Sequence, residues 1–295
     1  MANPGARVAL SVDGHVVTPL FFPGGDIGSL SVYGTVNDLA VGGARPLYLT
    51  AGFVIEEGFP LRDLKRVAES MGQAASRCGV AIVTGDTKVV ERGGADGLFV
   101  TTTGLGVVPD GLELGATKIR PGDRVLLSGT LGDHGVAILS QRENLSFEAP
   151  IVSDSAPLHE LVAALLEAAP SSVRAMRDAT RGGLAAIVNE YANAAGVGFV
   201  LSEATLPIRP AVLGACELLG IDPLYIANEG KLVAVVAPEA ADAALAAMRE
   251  HPMGQEAVMI GEVVEDPHHF VRLETSFGGG RIIDWLAGDP LPRIC

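Results

Sequence analysis

Short apolar segments alternate with helical segments along almost the whole sequence, and this alternation restricts the fold more than any other feature. The clearest helix is predicted at Leu61–Cys78, where apolar residues recur at helical spacing and Gly79 follows the last turn. Apolar strands are predicted on both sides of it, at Leu47–Ile55 and at Val80–Val83. Strands that alternate with helices are typical of mixed α/β domains. The first part of the sequence therefore predicts a mixed α/β domain.

Further elements are predicted at both ends of this first block. Strands are predicted at Val8–Val17 and at Leu98–Val107. A helix is predicted at Asp26–Gly43, because Asp26 is a favoured N-cap residue and a pair of glycines ends the segment. Together these elements have the order βαβαββ, and we predict an N-terminal domain at residues 1–110.

A second block of alternating elements follows a linker that contains two turn sequences, Pro109–Gly111 and Arg120–Asp123. Strands are then predicted at Arg124–Ser128, Val197–Leu201, Leu232–Ala237, Val258–Val264 and Phe270–Leu273. Helices are predicted at His134–Gln141, Pro157–Ala169, Gly183–Ala195, Pro210–Leu219 and Glu239–Glu250. We therefore predict a C-terminal α/β domain at 118–285, a tail at 286–295, and a cleft between the two domains.

Composition excludes several classes of function. The net charge of −14 is unsuited to nucleic-acid binding, which requires a basic surface. The sequence has no leader and no apolar run of about 18 residues, so we expect no membrane span and a cytoplasmic location. The three cysteines are too few and too scattered for a disulfide framework, so we expect reduced thiols.

Three aspartates of the first block could converge on a divalent cation. Asp13 lies on the first predicted strand, Asp38 on the first predicted helix, and Asp86 shortly after an apolar strand. Carboxylates are ligands that Mg²⁺ prefers, and phosphates and water complete its shell. Lys88 would project to the same side as Asp86 in an extended chain and could contact a phosphate. Taken singly, each aspartate fits a cap or a turn better, so the predicted metal site depends on the three together.

A second set of polar residues lies in the C-terminal block. Asp178 and Thr180 can cap the helix that follows them, but capping does not explain Arg181 and Gly182. Glycines at this place would let backbone N–H groups approach an anion at the positive end of the helix. Glu229 precedes an apolar strand, at a turn that requires no acid. The sequence contains neither a P-loop nor a dinucleotide-binding glycine motif after a strand, so a nucleotide site would be of another kind.

The sequence ends on a cysteine. Pro290 and Pro292 keep the preceding residues extended, because proline fixes φ and disfavours helix in the residue before it. Such a tail is long enough to bring the thiol of Cys295 into a cleft of its own or of a neighbouring subunit. The alternative is a frayed terminus that happens to end on a cysteine.

Several of these segments, taken in order, resemble one family. They are Phe22–Gly28, Gly34–Ala40, Gly85–Val90, Asp178–Leu184, Asn228–Leu232 and Pro292–Cys295. Together they resemble the HypE family of hydrogenase-maturation proteins, within the ATP-binding superfamily of aminoimidazole ribonucleotide synthetase. The resemblance implies two mixed α/β domains of that type and a homodimer whose N-terminal sheets form a barrel, with ATP and Mg²⁺ beside the subunit interface. It also implies a further glycine-rich segment before Met1 that carries metal ligands, so we expect weaker ATP binding by these 295 residues alone.

The resemblance also implies a reaction and its partners. A carbamoyltransferase would load a carbamoyl group onto Cys295, ATP would drive its dehydration to a thiocyanate, and an iron-binding scaffold complex would receive the cyanide. Glu229 would be the base, while Lys88 and Arg181 would offset the charge of the transferred phosphate. The implied metal ligands are Asp13, Asp38 and Asp86. The implied nucleotide contacts are Asn37, Asp38, Asp86, Thr87, Lys88, Asp178, Thr180, Arg181 and Gly182.

Three other interpretations account for part of the sequence. A small-molecule kinase or synthetase of the same ATP-binding fold explains the acids but leaves Cys295 without a task. A carrier or docking module without catalytic activity explains the tail but not the acids. A purely structural interpretation explains each residue singly and the whole set poorly.

Overall fold

The computed structural model describes residues 6–143, 145, 150–286 and 293–295. The elements of the first part are β1 (Arg7–His15), β2 (Phe21–Phe22), β3 (Gly25–Asp26), α1 (Ile27–Val41), β4 (Arg45–Glu56), α2 (Leu61–Arg77), β5 (Ala81–Val90) and β6 (Leu98–Val108). Four of the strands form a sheet in the order β1-β6-β4-β5, and β2 pairs with β3 in a separate short hairpin. β1 and β5 are therefore the two edges of the first sheet.

The two faces of this first sheet differ because side chains alternate along each strand. On β1, Ser11 points toward α1 and its hydroxyl donates to the Asp38 carboxylate at 2.6 Å. Leu10 and Val12 point to the other face, where each is 69% exposed. One face of the sheet is thus covered by helices, and the other leaves apolar side chains open.

A larger sheet forms the second part of the fold. Its strands and helices are β7 (Arg124–Leu127), α3 (Asp133–Arg142), α4 (His159–Ala168), β8 (Val173–Asp178), α5 (Gly183–Ala195), β9 (Gly198–Ser202), α6 (Pro210–Leu219), β10 (Leu232–Val236), α7 (Ala241–Glu250), β11 (Val258–Val264), β12 (Val271–Glu274) and β13 (Gly280–Ile282). The strand order is β13-β12-β9-β11-β7-β10-β8. All five residues of β10 are buried. The observed architecture confirms the predicted mixed α/β fold, while the barrel made by two copies and the domain limits stay predictions.

The helix α1 lies at the centre of the molecule, between the first sheet and the second part. It begins after Asp26, whose carboxylate accepts from the backbone N of Gly28 at 2.7 Å and of Ser29 at 3.2 Å. A Cβ at Gly28 would lie 2.3 Å from the backbone oxygen of Val67, so α2 packs very closely on this helix. Nearly every residue of α1 is buried, as expected for a helix that is covered on all sides.

Two of the longer strands differ clearly from the prediction, and the short strands β2, β3 and β13 were not predicted. β5 continues to Val90 instead of ending at Val83, because Gly85 and the polar residues beyond it still pair with β4. This is an edge strand, exposed along nearly its whole length, and polar residues are tolerated there. β8, at Val173–Asp178, was missed because its arginines interrupt the apolar pattern.

The predicted bounds of α5, α6 and β11 are confirmed as they stand. The predicted proline-stiffened part of the tail, at residues 287–292, lies outside the described residues. No helix in the described part of the chain combines the length and the apolar character that a membrane span requires.

Candidate active site at the inserted tail

The last three residues lie within the fold. The backbone N of Val16 donates to the oxygen of Cys295 at 2.9 Å, and that of Thr18 donates to the oxygen of Arg293 at 3.2 Å. The tail therefore pairs antiparallel with the segment that follows β1. Ile294 is only 4% exposed and packs into the apolar core beside α3. These contacts confirm that the terminal cysteine is not part of a frayed end.

The thiol of Cys295 lies among charged groups. The Arg181 side chain donates a hydrogen bond to it, and the carboxyl groups of Glu229 and Asp13 are close enough to influence its ionisation. Burial, together with these two carboxyl groups, raises the pKa of Cys295 to about 12. The thiol is therefore protonated and a poor nucleophile while the tail is inserted.

Glu229 is a buried acid of the site with a side-chain oxygen that the described residues leave unsatisfied. It is 3% exposed, and its Oε1 has no hydrogen-bond partner among the residues that the structure describes. Burial, and then the carboxyl groups of Asp178 and Asp154, raise its pKa well above the usual range of a glutamate. Its backbone N donates to Asp154 at 2.9 Å, so the main chain is held while the carboxyl group is left available.

The loop around Glu229 is rigidly supported. Asn228 accepts from the backbone N of Gly132 at 2.8 Å and donates to two backbone carbonyl groups at 3.0 Å. A Cβ at Gly230 would lie 1.9 Å from the backbone oxygen of Asp154, so only glycine fits there. The ammonium of Lys231 binds the same aspartate at 3.0 Å. Three of the four residues in Asn228–Lys231 thus have structural roles, and Glu229 is the exception.

Three more acids surround this pocket. Asp13 lies 3.4 Å from the buried ring of His15, and Asp38 accepts from Ser11. Burial raises the pKa of Asp38, and burial together with the nearby Asp38 raises the pKa of Asp178 to about 7. Burial is the largest cause in both cases, so these pKa values show that the two carboxyl groups are withdrawn from water.

The turn before α5 places Arg181 at the thiol. Its N-cap is Gly182, with φ +77°, and Gly183 follows with φ +59°. A Cβ at Gly183 would lie 2.5 Å from a backbone oxygen, so the turn requires glycine. The predicted capping of α5 by Asp178 or Thr180 is therefore wrong. Asp178 instead ends β8 inside the acidic pocket.

The residues predicted on β5 do not join this pocket within one chain. Asp86, Thr87 and Lys88 are exposed on the edge strand opposite β1, which carries Asp13. Three strand spacings separate the two edges, or about 14 Å. The described part of the chain accordingly contains no group of three or more His, Cys, Asp or Glu side chains that could hold a metal ion.

Asn37, another predicted nucleotide contact, is engaged by the backbone. Its amide nitrogen donates to the oxygen of Ala156 at 3.0 Å, and its amide oxygen accepts from Leu158 N at 2.8 Å. A third contact, at 3.4 Å, reaches the backbone oxygen of Glu229. Asn37 therefore joins α1 to the loops around the pocket, and its contact with the nucleotide stays a prediction.

Sequence reasoning missed two residues that shape the site, Asp154 and His134. Asp154 is 77 positions from its partner Lys231, and no local pattern connects them. His134 stands in a predicted helix but was not singled out, because a lone histidine in a helix gives no signal of its contacts. Both contacts arise only from the packing of distant segments.

Comparison with known proteins agrees with this geometry. Residues 1–108 match the family described as AIR synthase related protein, N-terminal domain, and residues 120–274 match its C-terminal domain. A carbamoyl dehydratase HypE from Bradyrhizobium diazoefficiens is 66% identical over 289 residues, which cover 98% of this chain and 84% of that protein.

Two solved structures are also similar. A hydrogenase maturation protein HypE in complex with ATP is 46% identical, with a TM-score of 0.95 and coverage of 100% of this chain and 89% of that one. A structure of a HypE–HypF complex is 48% identical, with a TM-score of 0.91 and coverage of 94% and 90%. Given this similarity over nearly the full length, the chain belongs to the HypE family of carbamoyl dehydratases.

Proposed function

We propose that this chain uses ATP to convert S-carbamoyl-cysteine at Cys295 into S-cyano-cysteine, which supplies a cyanide ligand for the iron of [NiFe]-hydrogenase. The observation that carries the proposal is the half-buried terminal thiol, whose ionisation is influenced by Glu229, a buried acid whose Oε1 has no hydrogen-bond partner among the described residues. A carbamoyl group on this sulfur would lie next to a candidate base. The related carbamoyl dehydratases and the related HypE–ATP complex support the same reaction.

The reaction balances in two steps. The carbamoyl oxygen attacks the γ-phosphorus of ATP, ADP leaves, and the nitrogen gives up one proton. The carbon–oxygen bond to the phosphate then breaks, the second N–H proton leaves with the phosphate, and the carbon–nitrogen triple bond forms. The net products are S-cyano-cysteine, ADP, phosphate and one proton. Phosphorylation replaces a very poor leaving group by phosphate, and the protein has to position the groups and offset their charge.

Glu229 and Arg181 have complementary roles in this proposal. Glu229 would accept a proton from the carbamoyl nitrogen, and its raised pKa makes it a strong base once it is ionised. Arg181, which hydrogen-bonds the sulfur, would offset negative charge that develops on the carbamoyl oxygen and the phosphate. We propose Lys88 as a second phosphate contact, brought to the site from β5 of another copy.

The carboxylates of the first block fit Mg²⁺ by their chemistry. Asp13 and Asp38 supply hard oxygen ligands at the pocket, but Asp86 is at the far edge of the sheet. We propose that the third ligand comes from a second copy of the chain. Bound there, Mg²⁺ would neutralise charge on the phosphates of ATP.

A homodimer would cover the open face of the first sheet. Leu10 and Val12 on β1 and Val83 and Val89 on β5 are each more than half exposed, although all are apolar. Two sheets joined at their edges into a barrel would bury these side chains and bring β5 of one copy to β1 of the other. A monomer seen by light scattering at micromolar concentration would contradict this arrangement.

Two partners follow from the reaction. Loading requires a carbamoyltransferase that reaches the tail when it is withdrawn, and the related HypE–HypF structure supports such a partner. Delivery requires an iron-binding scaffold complex that accepts the cyanide. Because the reaction needs ATP and a reduced thiol, we place the protein in the cytoplasm.

The second candidate function, a small-molecule kinase or synthetase of the same fold, is less well supported. It accounts for the acids but not for a terminal thiol that is inserted among them. Under that function the tail would occupy the place of the small substrate.

The decisive experiment is mass spectrometry of the C-terminal peptide after incubation with ATP and a carbamoyl-donor system. We expect a carbamoyl group on Cys295 and then the loss of one water. Cys295→Ala should abolish both changes and leave the fold intact. Modification of Cys78 or Cys216 instead would contradict the proposal, since both are buried in the core.

A further inference from the structure

The first turn of α3 presents a buried histidine to the tail. The Nε2 of His134 lies 2.7 Å from the backbone oxygen of Ile294, and its Nδ1 lies 2.8 Å from the hydroxyl of Ser153. A carbonyl oxygen only accepts, so Nε2 carries the proton and Nδ1 accepts from Ser153. Ser153 in turn accepts from the backbone N of Ser155 at 3.1 Å, which fixes the hydroxyl. Burial lowers the pKa of His134, in agreement with this neutral form.

The other end of α3 makes a second contact with the tail. The Nε of Arg142 donates to the backbone oxygen of Thr18 at 2.5 Å, and its Nη2 donates to the backbone oxygen of Arg293. The backbone N of Thr18 also donates to the backbone oxygen of Arg293. Arg142 therefore joins the tail to the segment with which it pairs.

The tail also pairs with the backbone of Val16 and Thr18, and its other interactions differ in sign. Ile294 is buried in the apolar core, which favours insertion. Arg293 has φ +58°, a left-handed conformation that is unfavourable for a residue with a side chain. Its guanidinium binds Asp96 at 2.5 Å, but both side chains are largely exposed, so this ion pair contributes little. The hydrogen bonds from α3 are therefore important in stabilising the inserted tail relative to the withdrawn tail.

α3 is also tied to the loop that carries Glu229. The backbone N of Gly132, just before α3, donates to the side chain of Asn228, and Gly135 N donates to the oxygen of Ala227 at 3.1 Å. The helix and the loop are thus held as one unit. A tail that is bound to α3 has its sulfur at a fixed place relative to Glu229.

We propose that His134 and Arg142 are positioning residues that form a latch, which holds Cys295 beside Glu229 and must open before the sulfur can be loaded. The latch binds only backbone carbonyl groups of the tail, so it can hold the thiol, the carbamoyl form and the cyano form alike. Its role in loading and dehydration rests on the proposed function. The control that the latch exerts over the exposure of Cys295 does not depend on the proposed function.

The test measures the alkylation rate of Cys295 by iodoacetamide, with peptide mass spectrometry, in the full chain. Burial raises the pKa of the inserted thiol to about 12, so alkylation reports the withdrawn tail. We expect His134→Ala to accelerate the reaction about five- to tenfold, as the loss of one buried hydrogen bond implies. His134→Gln, whose amide can still donate, should give a smaller increase. Cys78 and Cys216 serve as internal controls, because both stay protected while the core is intact.

Substitution of Arg142, which is more exposed than His134, gives a second test of the latch. Arg142→Ala should also accelerate alkylation of Cys295, and Arg142→Lys should do so less. Arg272→Ala removes a surface arginine of β12 and should have no effect. Unchanged alkylation in both alanine variants, with Cys78 and Cys216 protected, would overturn the proposal. If His134→Ala exposes these two cysteines as well, that variant has lost its fold, and Arg142→Ala decides.

Dehydration is then measured separately, on protein that already carries the carbamoyl group on Cys295. The latch variants should dehydrate it about five- to tenfold more slowly at saturating ATP, while the conservative variants retain more of the rate. A wild-type protein that never forms the cyano group would contradict the proposed function and leave the alkylation result valid. Normal dehydration with unchanged alkylation in the variants would contradict the latch alone.

Discussion

The pocket around Cys295 and the edge strand β5 are two regions of one predicted site, and they differ sharply in how complete they are. In the pocket, Glu229 is 3% exposed and its loop is fixed by Asn228 and Gly230. On β5, Asp86 and Lys88 are exposed. One region is fully assembled within a single chain, and the other presents its side chains to solvent.

We interpret this difference as a reaction site that is formed by two separate parts of the molecule, the pocket around Cys295 and the edge strand β5. The groups proposed to act on the sulfur and its substituent lie together, because the tail, the loop of Glu229 and the turn before α5 belong to the same chain and meet there. Two further groups expected to bind metal and phosphate, Asp86 and Lys88, lie on a strand that still has an open edge. Substitutions in the pocket should therefore affect dehydration, and substitutions on β5 should affect nucleotide binding.

The largest expected effect belongs to the pocket. Glu229→Gln keeps the shape of the side chain but removes the base, so protein that already carries the carbamoyl group should dehydrate it about 10²–10⁴-fold more slowly. This corresponds to roughly 3–5 kcal/mol of barrier. ATP binding should be retained. Single-turnover kinetics, followed by the mass of the C-terminal peptide, measures the effect.

Glu239→Gln is a suitable control for this variant, because Glu239 is an exposed glutamate before α7. It should dehydrate at the wild-type rate. Dehydration at the normal rate by Glu229→Gln would show that another acid is the base. Loss of ATP binding in Glu229→Gln would place Glu229 in the nucleotide site and remove the contrast between the two regions.

The next effect belongs to β5. Asp86→Asn removes one full charge from the expected metal and nucleotide site, so the affinity for ATP in the presence of Mg²⁺ should fall about 10- to 100-fold, as expected for the loss of a charge-assisted contact. The stability of the single chain should be nearly unchanged, because Asp86 is exposed. Isothermal titration calorimetry measures the first quantity and thermal unfolding the second.

Asp110→Asn, on an exposed turn between the two sheets, is the matched control and should bind ATP as the wild type does. Equal affinities for Asp86→Asn and wild type would exclude the β5 edge from the nucleotide site. The exposed polar residues of β5 would then have a function other than nucleotide binding.

The sequence predicted some parts of this molecule because the signals are local. α5 and α6 were predicted with their observed bounds, since Gly196 and Gly220 end them in left-handed conformations. The sequence also indicated that the tail could enter a cleft, and its last three residues do lie within the fold. Glu229 was singled out because its turn required no acid, and its role as the base stays a prediction.

Other parts depend on strand order, which no local pattern contains. The sequence placed Asp13 and Asp86 in one metal site, but β1 and β5 are opposite edges of the same sheet. Gly85 appeared to end a strand, whereas it allows β5 to pass close to β4: a Cβ there would lie 2.3 Å from the oxygen of Ala51. The contact of His134 with Ile294 spans 160 positions and could be found only in the fold.

The smallest expected effect concerns the charge of the pocket. Burial and the nearby Asp38 raise the pKa of Asp178 to about 7, above the ordinary value of 3.8 for an aspartate. The folded state then binds a proton that the unfolded state has released, so this contribution to stability is complete below pH 3.8 and is lost as the pH rises through about 7. The slope is of the order of 1 kcal/mol per pH unit within that window. Asp178→Asn removes this contribution.

Thermal unfolding of wild type and Asp178→Asn between pH 4.5 and 7.5, about the window in which the carboxyl group titrates, tests this prediction. Burial lowers the pKa of His15 and His134, which gives a slope of the opposite sign, but both proteins share it. The difference between the two stabilities should therefore change with pH in favour of the variant as the pH rises. Asp242→Asn, on the exposed side of α7, should run parallel to wild type. A constant difference for Asp178→Asn would mean that burial in the pocket does not raise the pKa of this carboxyl group, so that in this respect the pocket would not differ from the open edge on β5.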